Sequence, residues 1–311
     1  MNMKRDNYLE RWLLDLARPL GPIRIAVVHP CDATSLAAAL DARRVGVTEP
    51  VLVAPRAKLE RIARENQLDL SGIAIEDAAH SHAAAARAVA LARAGKVEAL
   101  MKGSLHTDEL MGAVVAADTG LRTARRITHC FLMQTPAYPR PFIITDAAVN
   151  IAPTLEEKAD IVRNAIALAK VIGVATPRVA ILAAVETVNP RMPATLDAAA
   201  LCKMADRGQI EGGVVDGPLA FDNAVSAEAA RIKGIKSDVA GRADVLVVPD
   251  LESGNMLAKQ LEYLGGASIA GIVMGARVPI VLTSRADSSE SRIAACALAA
   301  LVAHRNRASP P

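Results

Sequence analysis

Short runs of β-branched and aliphatic residues alternate with longer segments rich in alanine and leucine along most of the chain. The short runs predict strands at residues 24–29, 49–54, 72–76, 97–101, 142–146, 178–185, 212–216, 243–249 and 278–282. The longer segments predict helices, the clearest of which span 78–94, 155–172, 196–208 and 292–304. Strands and helices that alternate at this spacing are typical of a mostly parallel sheet covered by helices, so we expect an α/β fold.

Polar turns follow several of the predicted strands. The last of them, from Thr283 to Ser289, contains a guanidinium, a carboxylate and several hydroxyl groups. Ligands of open α/β sheets collect at the carboxyl ends of strands, and the N-terminus of the following helix favours an anion. This turn therefore predicts a site for a phosphate-like group. The alternative is that Asp287 or Ser288 only caps the helix, with Glu290 completing a capping box.

A second polar turn follows the fourth predicted strand. Gly103 permits a close approach of the backbone, and Lys102 offers positive charge. Ser104, His106 and Thr107 offer hydrogen-bond donors. Thr107 could instead cap the next helix, and a lone histidine such as His106 is more often structural.

The composition limits the classes of function. The chain has 311 residues, enough for two domains, and 52% of them are hydrophobic although only 2% are aromatic. Because aromatic stacking platforms are scarce and the formal net charge is only +3, we expect no nucleic-acid partner. No apolar run reaches the roughly 18 residues of a membrane-spanning helix, and the N-terminus lacks the apolar segment of a secretion signal, so no membrane partner is expected.

The cysteines and histidines form no metal-binding pattern. The four cysteines, at positions 31, 130, 202 and 296, are far apart and include no CxxC pair. We therefore expect reduced thiols in the cytoplasm, with neither a zinc site nor a disulfide framework. His80 and His82 are two residues apart in a predicted helix and do not share a face. The sequence thus predicts no metal site.

Three segments lie at the ends of predicted strands: DGPLAFD at 216–222, VPDLESGN at 248–255 and TSR at 283–285. In order and spacing they resemble the phosphate acetyltransferase and phosphate butyryltransferase family over nearly the whole chain. The turn at 101–107 and the loop at 186–195 are more similar to the butyryltransferase branch. The resemblance implies two α/β domains with a cleft between them, in a fold shared with isocitrate and isopropylmalate dehydrogenases. The first domain would comprise 1–146 and 273–311, and the second 147–272.

The resemblance also implies the reversible reaction acyl-CoA + phosphate = acyl phosphate + CoA, with a short acyl chain, acetyl or butyryl. The CoA thiolate would attack the acyl carbonyl directly, without an acyl-enzyme, so CoA is a substrate and no bound cofactor is expected. A homodimer in the cytoplasm is the expected assembly. Two alternatives stay open. One is a non-catalytic acyl-CoA-binding homologue, and the other is a metal- and NAD-dependent β-decarboxylating dehydrogenase.

The catalytic residues that the resemblance implies are Ser284, Arg285 and Asp287. Arg285 would grip the phosphate oxygens through its planar guanidinium, and Ser284 would donate a hydrogen bond to the phosphate or the oxyanion. The acetyltransferases of the family carry an acid seven residues after this serine, where the present chain has Ser291. Asp287 or Glu290 could replace that acid as the base.

The substrate-binding residues that the resemblance implies are Lys102, Ser104, His106, Thr107, Asp216, Asp222, Ser253, Gly254 and Asn255. Gly254 and Asn255 would present backbone N–H groups to phosphate from the start of a helix. Three of these residues could instead have a purely structural role. Asp216 precedes Gly-Pro and suits a turn, and Asp222 or Ser253 suits a helix cap.

Overall fold

The computed structural model describes residues 8–284 and 286–311. These residues form two compact units, each built from strands and helices. We call residues 8–125 with 270–311 the outer unit, and residues 126–269 the middle unit. The expected α/β class is confirmed, whereas the domain boundaries at residues 146 and 272 stay a prediction.

Strands and helices alternate along most of the described chain. The strands are β1 (Ile23–Val28), β2 (Thr48–Ala54), β3 (Ala74–Asp77), β4 (Ala99–Lys102), β5 (Thr128–Gln134), β6 (Phe142–Thr145), β7 (Arg178–Leu182), β8 (Val214–Leu219), β9 (Val245–Val247), β10 (Ser268–Met274) and β11 (Ile280–Val281). The α-helices are α1 (Tyr8–Ala17), α2 (Ala33–Arg44), α3 (Arg56–Glu65), α4 (Ser81–Arg93), α5 (Thr107–Val115), α6 (Leu155–Val171), α7 (Pro193–Asp206), α8 (Phe221–Val225), α9 (Ala227–Ile232), α10 (Leu251–Tyr263) and α11 (Ser289–Ala308), and a 3-10 turn (Arg18–Leu20) follows α1.

The strands of the outer unit lie in the order β3-β2-β1-β4-β11-β10. β1 pairs in parallel with β2 and β4, and β11 pairs in parallel with β4, whereas β10 runs antiparallel to β11. Val28 is in register with both Val53 and Lys102, so the carboxyl ends of β1, β2 and β4 lie side by side. Apart from Arg24, every residue of β1 and β4 is buried, as expected for parallel strands covered on both faces.

Helix α11 forms the core of the outer unit. Its residues from Ile293 to Ala303 are all buried, and α1 and α2 pack against it. A helix that is apolar around its circumference belongs in the interior of a protein. Because β11 and α11 are both buried, the polar turn that joins them is held at each end by core elements.

The strands of the middle unit lie in the order β5-β6-β9-β7-β8. β5 and β6 are antiparallel, and the other described pairs are parallel. Phe142, Leu182 and Leu246 belong to its hydrophobic core. Helix α6 begins with a capping box in which Thr154 and Glu157 each accept a backbone hydrogen bond from the other.

The sequence pattern misses two strands and overestimates another. β5 contains buried polar residues, Thr128 and His129, and β10 contains Ser268 and Gly271, so neither looks like a regular apolar strand. The strand predicted at 278–282 is confined to two residues, although Leu100 still donates a backbone hydrogen bond to Pro279.

Candidate active site

A pocket of about 430 Å³ opens at the carboxyl ends of β1, β4 and β11 in the outer unit. It is lined by Asp32, Thr34, Ser35, Met101, Lys102, Gly103, Ser104, Thr283, Ser284 and Arg292. The two polar turns predicted after β4 and β11 therefore meet at one site, as the parallel pairing of these strands requires. The turn after β1 joins them there. Hydroxyl groups and two cations line much of the pocket, and this combination suits an anion.

Gly103 allows the turn after β4 to lie directly against the turn after β1. A Cβ atom on Gly103 would come within 2.5 Å of the carbonyl oxygen of Val28 and 2.7 Å of that of His29. The Gly103 amide donates a hydrogen bond of 2.9 Å to Val28. The two backbones are thus in direct contact, which is the close approach expected of this glycine from the sequence.

Ser104 joins the same two turns through its backbone and its side chain. Its amide and its hydroxyl both donate to the carbonyl oxygen of His29, at 3.0 Å and 2.8 Å. Ser104 Oγ also accepts a hydrogen bond from the Cys31 amide at 3.1 Å. Ser104 is therefore fixed at the pocket wall. His106 and Thr107, by contrast, are exposed at the start of α5 and do not line the pocket.

The turn that carries Ser284 is held by hydrogen bonds to both backbone groups of this residue. The Ser284 amide donates to Asp287 Oδ2 at 2.7 Å. Its carbonyl oxygen accepts from the Asp287 amide and from Arg292 Nη2, each at 3.2 Å. The predicted catalytic residues Ser284 and Asp287 are therefore neighbours in one turn. Arg285, the third of that set, lies outside the described residues.

Ser288, and not Asp287, caps helix α11. Its hydroxyl accepts a hydrogen bond of 3.2 Å from the Ser291 amide. Because the Asp287 carboxylate turns back to Ser284, the capping box of Asp287 and Glu290 does not form. Of the two interpretations of this segment from the sequence, the helix cap is realised by Ser288, and the phosphate site stays a prediction.

Two cations, Lys102 and Arg292, and one carboxylate, Asp32, line the pocket. Lys102 and Arg292 are each only 8% exposed. Asp32 caps α2 by accepting a 2.7 Å hydrogen bond from the Ser35 amide, so its charge lies at the positive end of that helix dipole. Sequence reasoning missed Asp32, Ser35 and Arg292. The Asp32–Ser35 spacing after β1 is a capping signal that could have located the first pair, whereas Arg292 carries no comparable signal.

Two titratable groups near Ser104 are held in their uncharged forms. Burial, with a smaller contribution from the Lys58 ammonium, lowers the pKa of His29 below its ordinary value. Burial likewise raises the pKa of the Cys31 thiol. His29 Nδ1 lies 3.4 Å from Ser104 Oγ. Near neutral pH His29 is therefore a neutral imidazole and Cys31 a protonated thiol, and neither residue is part of the pocket lining.

The predicted substrate-binding aspartates of the middle unit have partners within that unit. Asp216 Oδ1 accepts a hydrogen bond of 2.8 Å from the Gly217 amide, a local turn interaction. Asp222 Oδ2 lies 3.2 Å from Lys233 Nζ, and this carboxylate raises the pKa of Lys233. Both aspartates therefore have local structural roles in this unit.

The predicted phosphate-binding residues at the start of α10 also make local contacts. Asp250 caps this helix, and the Ser253 hydroxyl donates to the Asp250 carboxylate at 2.7 Å. Asn255 Nδ2 donates to the carbonyl oxygen of Ala147 at 3.1 Å. A Cβ atom on Gly254 would lie 3.2 Å from Ala147 Cα. These residues therefore pack the start of α10 against the turn after β6.

The described part of the chain contains no cluster of three or more His, Cys, Asp or Glu side chains suited to a metal ion. None of the helices within it combines the length and the apolar character needed to cross a membrane.

Comparison with known proteins relates the chain to one family of enzymes. The family described as Phosphate acetyl/butaryl transferase matches residues 80–300. A phosphate acetyltransferase of Rhizobium meliloti is 61% identical over 297 residues, covering 96% of this chain and 94% of the relative. A phosphate butyryltransferase of Clostridium acetobutylicum is 42% identical over 280 residues, covering 90% and 93%. Among solved structures, a branched-chain phosphotransacylase from Enterococcus faecalis V583 matches with a TM-score of 0.79 at 30% identity, covering 90% of this chain and 99% of that one.

Proposed function

The chain belongs to the phosphate acetyltransferase and butyryltransferase family, and we propose that the pocket of the outer unit is where it carries out the family reaction. It is a phosphate acyltransferase, which interconverts acyl-CoA and phosphate with acyl phosphate and CoA. One observation carries the assignment of the site: two nearly buried cations, Lys102 and Arg292, line the same pocket as Ser284. A phosphate group needs such charge-assisted hydrogen bonds to leave water.

In the proposed reaction the CoA thiolate attacks the carbonyl carbon of the acyl phosphate. The C–S bond forms, the C–O bond to phosphate breaks, and phosphate leaves with the bonding electron pair. Arg285 grips the phosphate oxygens, and Ser284 donates a hydrogen bond to the phosphate or the developing oxyanion.

Asp287 has two roles in this proposal. Its carboxylate accepts the Ser284 amide hydrogen bond at 2.7 Å and so fixes the turn. It is also the proposed acceptor of the CoA thiol proton, since Ser291 stands where the acetyltransferases of the family have an acid. An ordinary thiol has a pKa of about 8.5, so a weak base is sufficient and the positioning of the reactants contributes much of the rate.

The other assignments rest on the family resemblance and stay predictions. The predicted substrate contacts are Lys102 and Ser104 in the pocket and, outside its lining, His106, Thr107, Asp216, Asp222, Ser253, Gly254 and Asn255. Two further predictions are the isocitrate dehydrogenase-like arrangement with an interdomain cleft, and a homodimer. A cytoplasmic location belongs with them. It is supported by the four cysteines, which are all free thiols in the described chain.

The reaction is tested by the release of free CoA from acetyl-, propionyl- and butyryl-CoA in the presence and absence of phosphate. We expect release that depends on phosphate with at least one of these donors, and the preferred donor defines the acyl chain. Binding of acyl-CoA without release from any donor would indicate the non-catalytic homologue instead. Reduction of NAD by the purified protein would indicate the dehydrogenase.

A further inference from the structure

Arg292 is a buried cation in a helix that is otherwise a core element. Of the buried residues of α11, all of which are in the described chain, Arg292 is the one that carries a charge. Removing a guanidinium from water costs several kcal/mol unless hydrogen bonds compensate, so a helix that served packing alone would carry an aliphatic residue here. The position of Arg292 therefore points to a function at the pocket that it lines.

The contact that connects Arg292 to the reaction is its hydrogen bond to Ser284. Arg292 Nη2 donates to the Ser284 carbonyl oxygen at 3.2 Å, across eight residues of the chain. Asp287 binds the same residue through its carboxylate and its amide. Those contacts are local to the turn, whereas Arg292 ties the turn to a helix fixed in the core. Without its side chain at position 292, α11 loses this hydrogen bond to the Ser284 carbonyl oxygen.

We propose that Arg292 is a positioning residue for acyl transfer, which holds the Ser284 turn against the pocket so that Ser284 meets the bound phosphate group. This inference rests on the proposed function and extends it to a residue seven positions beyond Arg285. A displacement of about 1 Å at a reacting group costs roughly 10²-fold in rate, which sets the expected size of the effect. The guanidinium also adds positive charge to the pocket that Lys102 lines.

The test compares Arg292→Ala and Arg292→Lys with Arg305→Ala, a matched control on an exposed residue near the other end of α11. We expect kcat of Arg292→Ala to fall by about 10²-fold and to recover in part when guanidinium chloride is added at concentrations that leave the control unchanged. Arg292→Lys should fall less, because its ammonium keeps the charge but not the planar geometry. Arg305→Ala should behave as the wild type.

Thermal midpoints separate this role from a purely structural one. If Arg292→Ala does not fold, the Arg292→Lys variant decides. A reduced kcat of Arg292→Lys with a thermal midpoint equal to that of the wild type supports the inference. A kcat equal to that of the wild type overturns it. Turnover of Arg292→Ala within about twofold of the wild type would also overturn it, since positioning losses are far larger. The inference would also be overturned if added guanidinium did not restore the kcat of Arg292→Ala and the kcat of Arg292→Lys fell by the same factor.

A binding measurement keeps the inference testable apart from the proposed function. If the wild type releases no CoA, the proposed function fails, and calorimetric titration with inorganic phosphate then decides on Arg292. Phosphate binding to Arg292→Ala at least about tenfold weaker than to wild type and Arg305→Ala, the scale of one hydrogen bond to a charged group, supports the inference. Equal phosphate affinity in all three proteins overturns it.

Discussion

Substituting alanine for Gly103 should damage the pocket without altering any of its side-chain functional groups. The new Cβ atom would lie 2.5 Å from the Val28 carbonyl oxygen, whereas ordinary contacts begin at 3.4 Å, so the two turns must separate by about 0.9 Å. Overpacking of this kind costs about 1–3 kcal/mol of stability. Loss of the hydrogen bond from Gly103 to Val28 adds about 1 kcal/mol. Because Lys102 and Ser104 flank the moved residue, kcat/KM should fall by roughly 10²-fold.

Gly112→Ala is the matched control for this substitution. Gly112 lies within α5, and outside the adjacent backbone of that helix no atom lies within 4 Å of the position that its Cβ would take. Alanine at this site should therefore stabilise the helix by about 0.5–1 kcal/mol and leave turnover unchanged. Urea unfolding gives the stability of both variants, and phosphate-dependent CoA release gives their activity. Equal stability and equal turnover of the Gly103 and Gly112 variants would refute the close approach of the two turns.

Two further predictions concern stability at acid pH and the role of Asp287. Burial lowers the pKa of His129 below its ordinary value, so the unfolded chain takes up a proton that the folded chain refuses, and stability is lost as pH falls below about 6.5, the ordinary pKa of a histidine. His129→Phe should make the urea midpoint of unfolding less dependent on pH below about 6.5. An unchanged pH dependence of that midpoint would contradict this assignment. Asp287→Asn keeps an acceptor for the Ser284 amide but removes the charge, so kcat should fall while the phosphate KM stays near that of the wild type. Unchanged kcat would exclude Asp287 as the proton acceptor.

The sequence was most informative where local chemistry determines structure. The strand predicted at 97–101 is present as β4, shifted to Ala99–Lys102, and the polar turn with Gly103 and Ser104 follows it as predicted, because a polar turn after an apolar run carries its own signal. Parallel pairing then brings the turns after β4 and β11 together. The pocket at which they meet could therefore be anticipated from two short segments that are about 180 residues apart in the chain, whereas its anionic ligand stays a prediction.

The sequence was less informative where structure depends on contacts between residues that are far apart in the chain. β5 was missed because Thr128 and His129 are buried through specific partners, among them Asn164, whose amide donates to the Thr128 hydroxyl at 2.9 Å. No periodicity in the sequence encodes such a contact. Arg292 was interpreted as the first residue of a helix for a similar reason. Its importance depends on its distance from Ser284, which only the fold determines.

The helix cap at α11 shows how two local signals can compete. Asp287 and Ser288 both suit an N-cap position, and the sequence left the choice open. The structure assigns the cap to Ser288 because the Asp287 carboxylate is already bound to the Ser284 amide. The charged carboxylate of Asp287 thus shapes the pocket turn, and the neutral hydroxyl of Ser288 caps the start of the helix.

The most direct test of the central claim, that the Ser284–Arg285 turn binds the transferred phosphate, is the steady-state kinetics of Arg285→Ala beside Ser291→Ala. Ser291 lies in the same segment, and its amide hydrogen bond to Ser288 does not require its own side chain. We predict that Arg285→Ala lowers kcat by at least about 10²-fold and raises the phosphate KM, while Ser291→Ala stays close to the wild type. Equal kcat and equal phosphate KM for Arg285→Ala and the wild type would contradict the account.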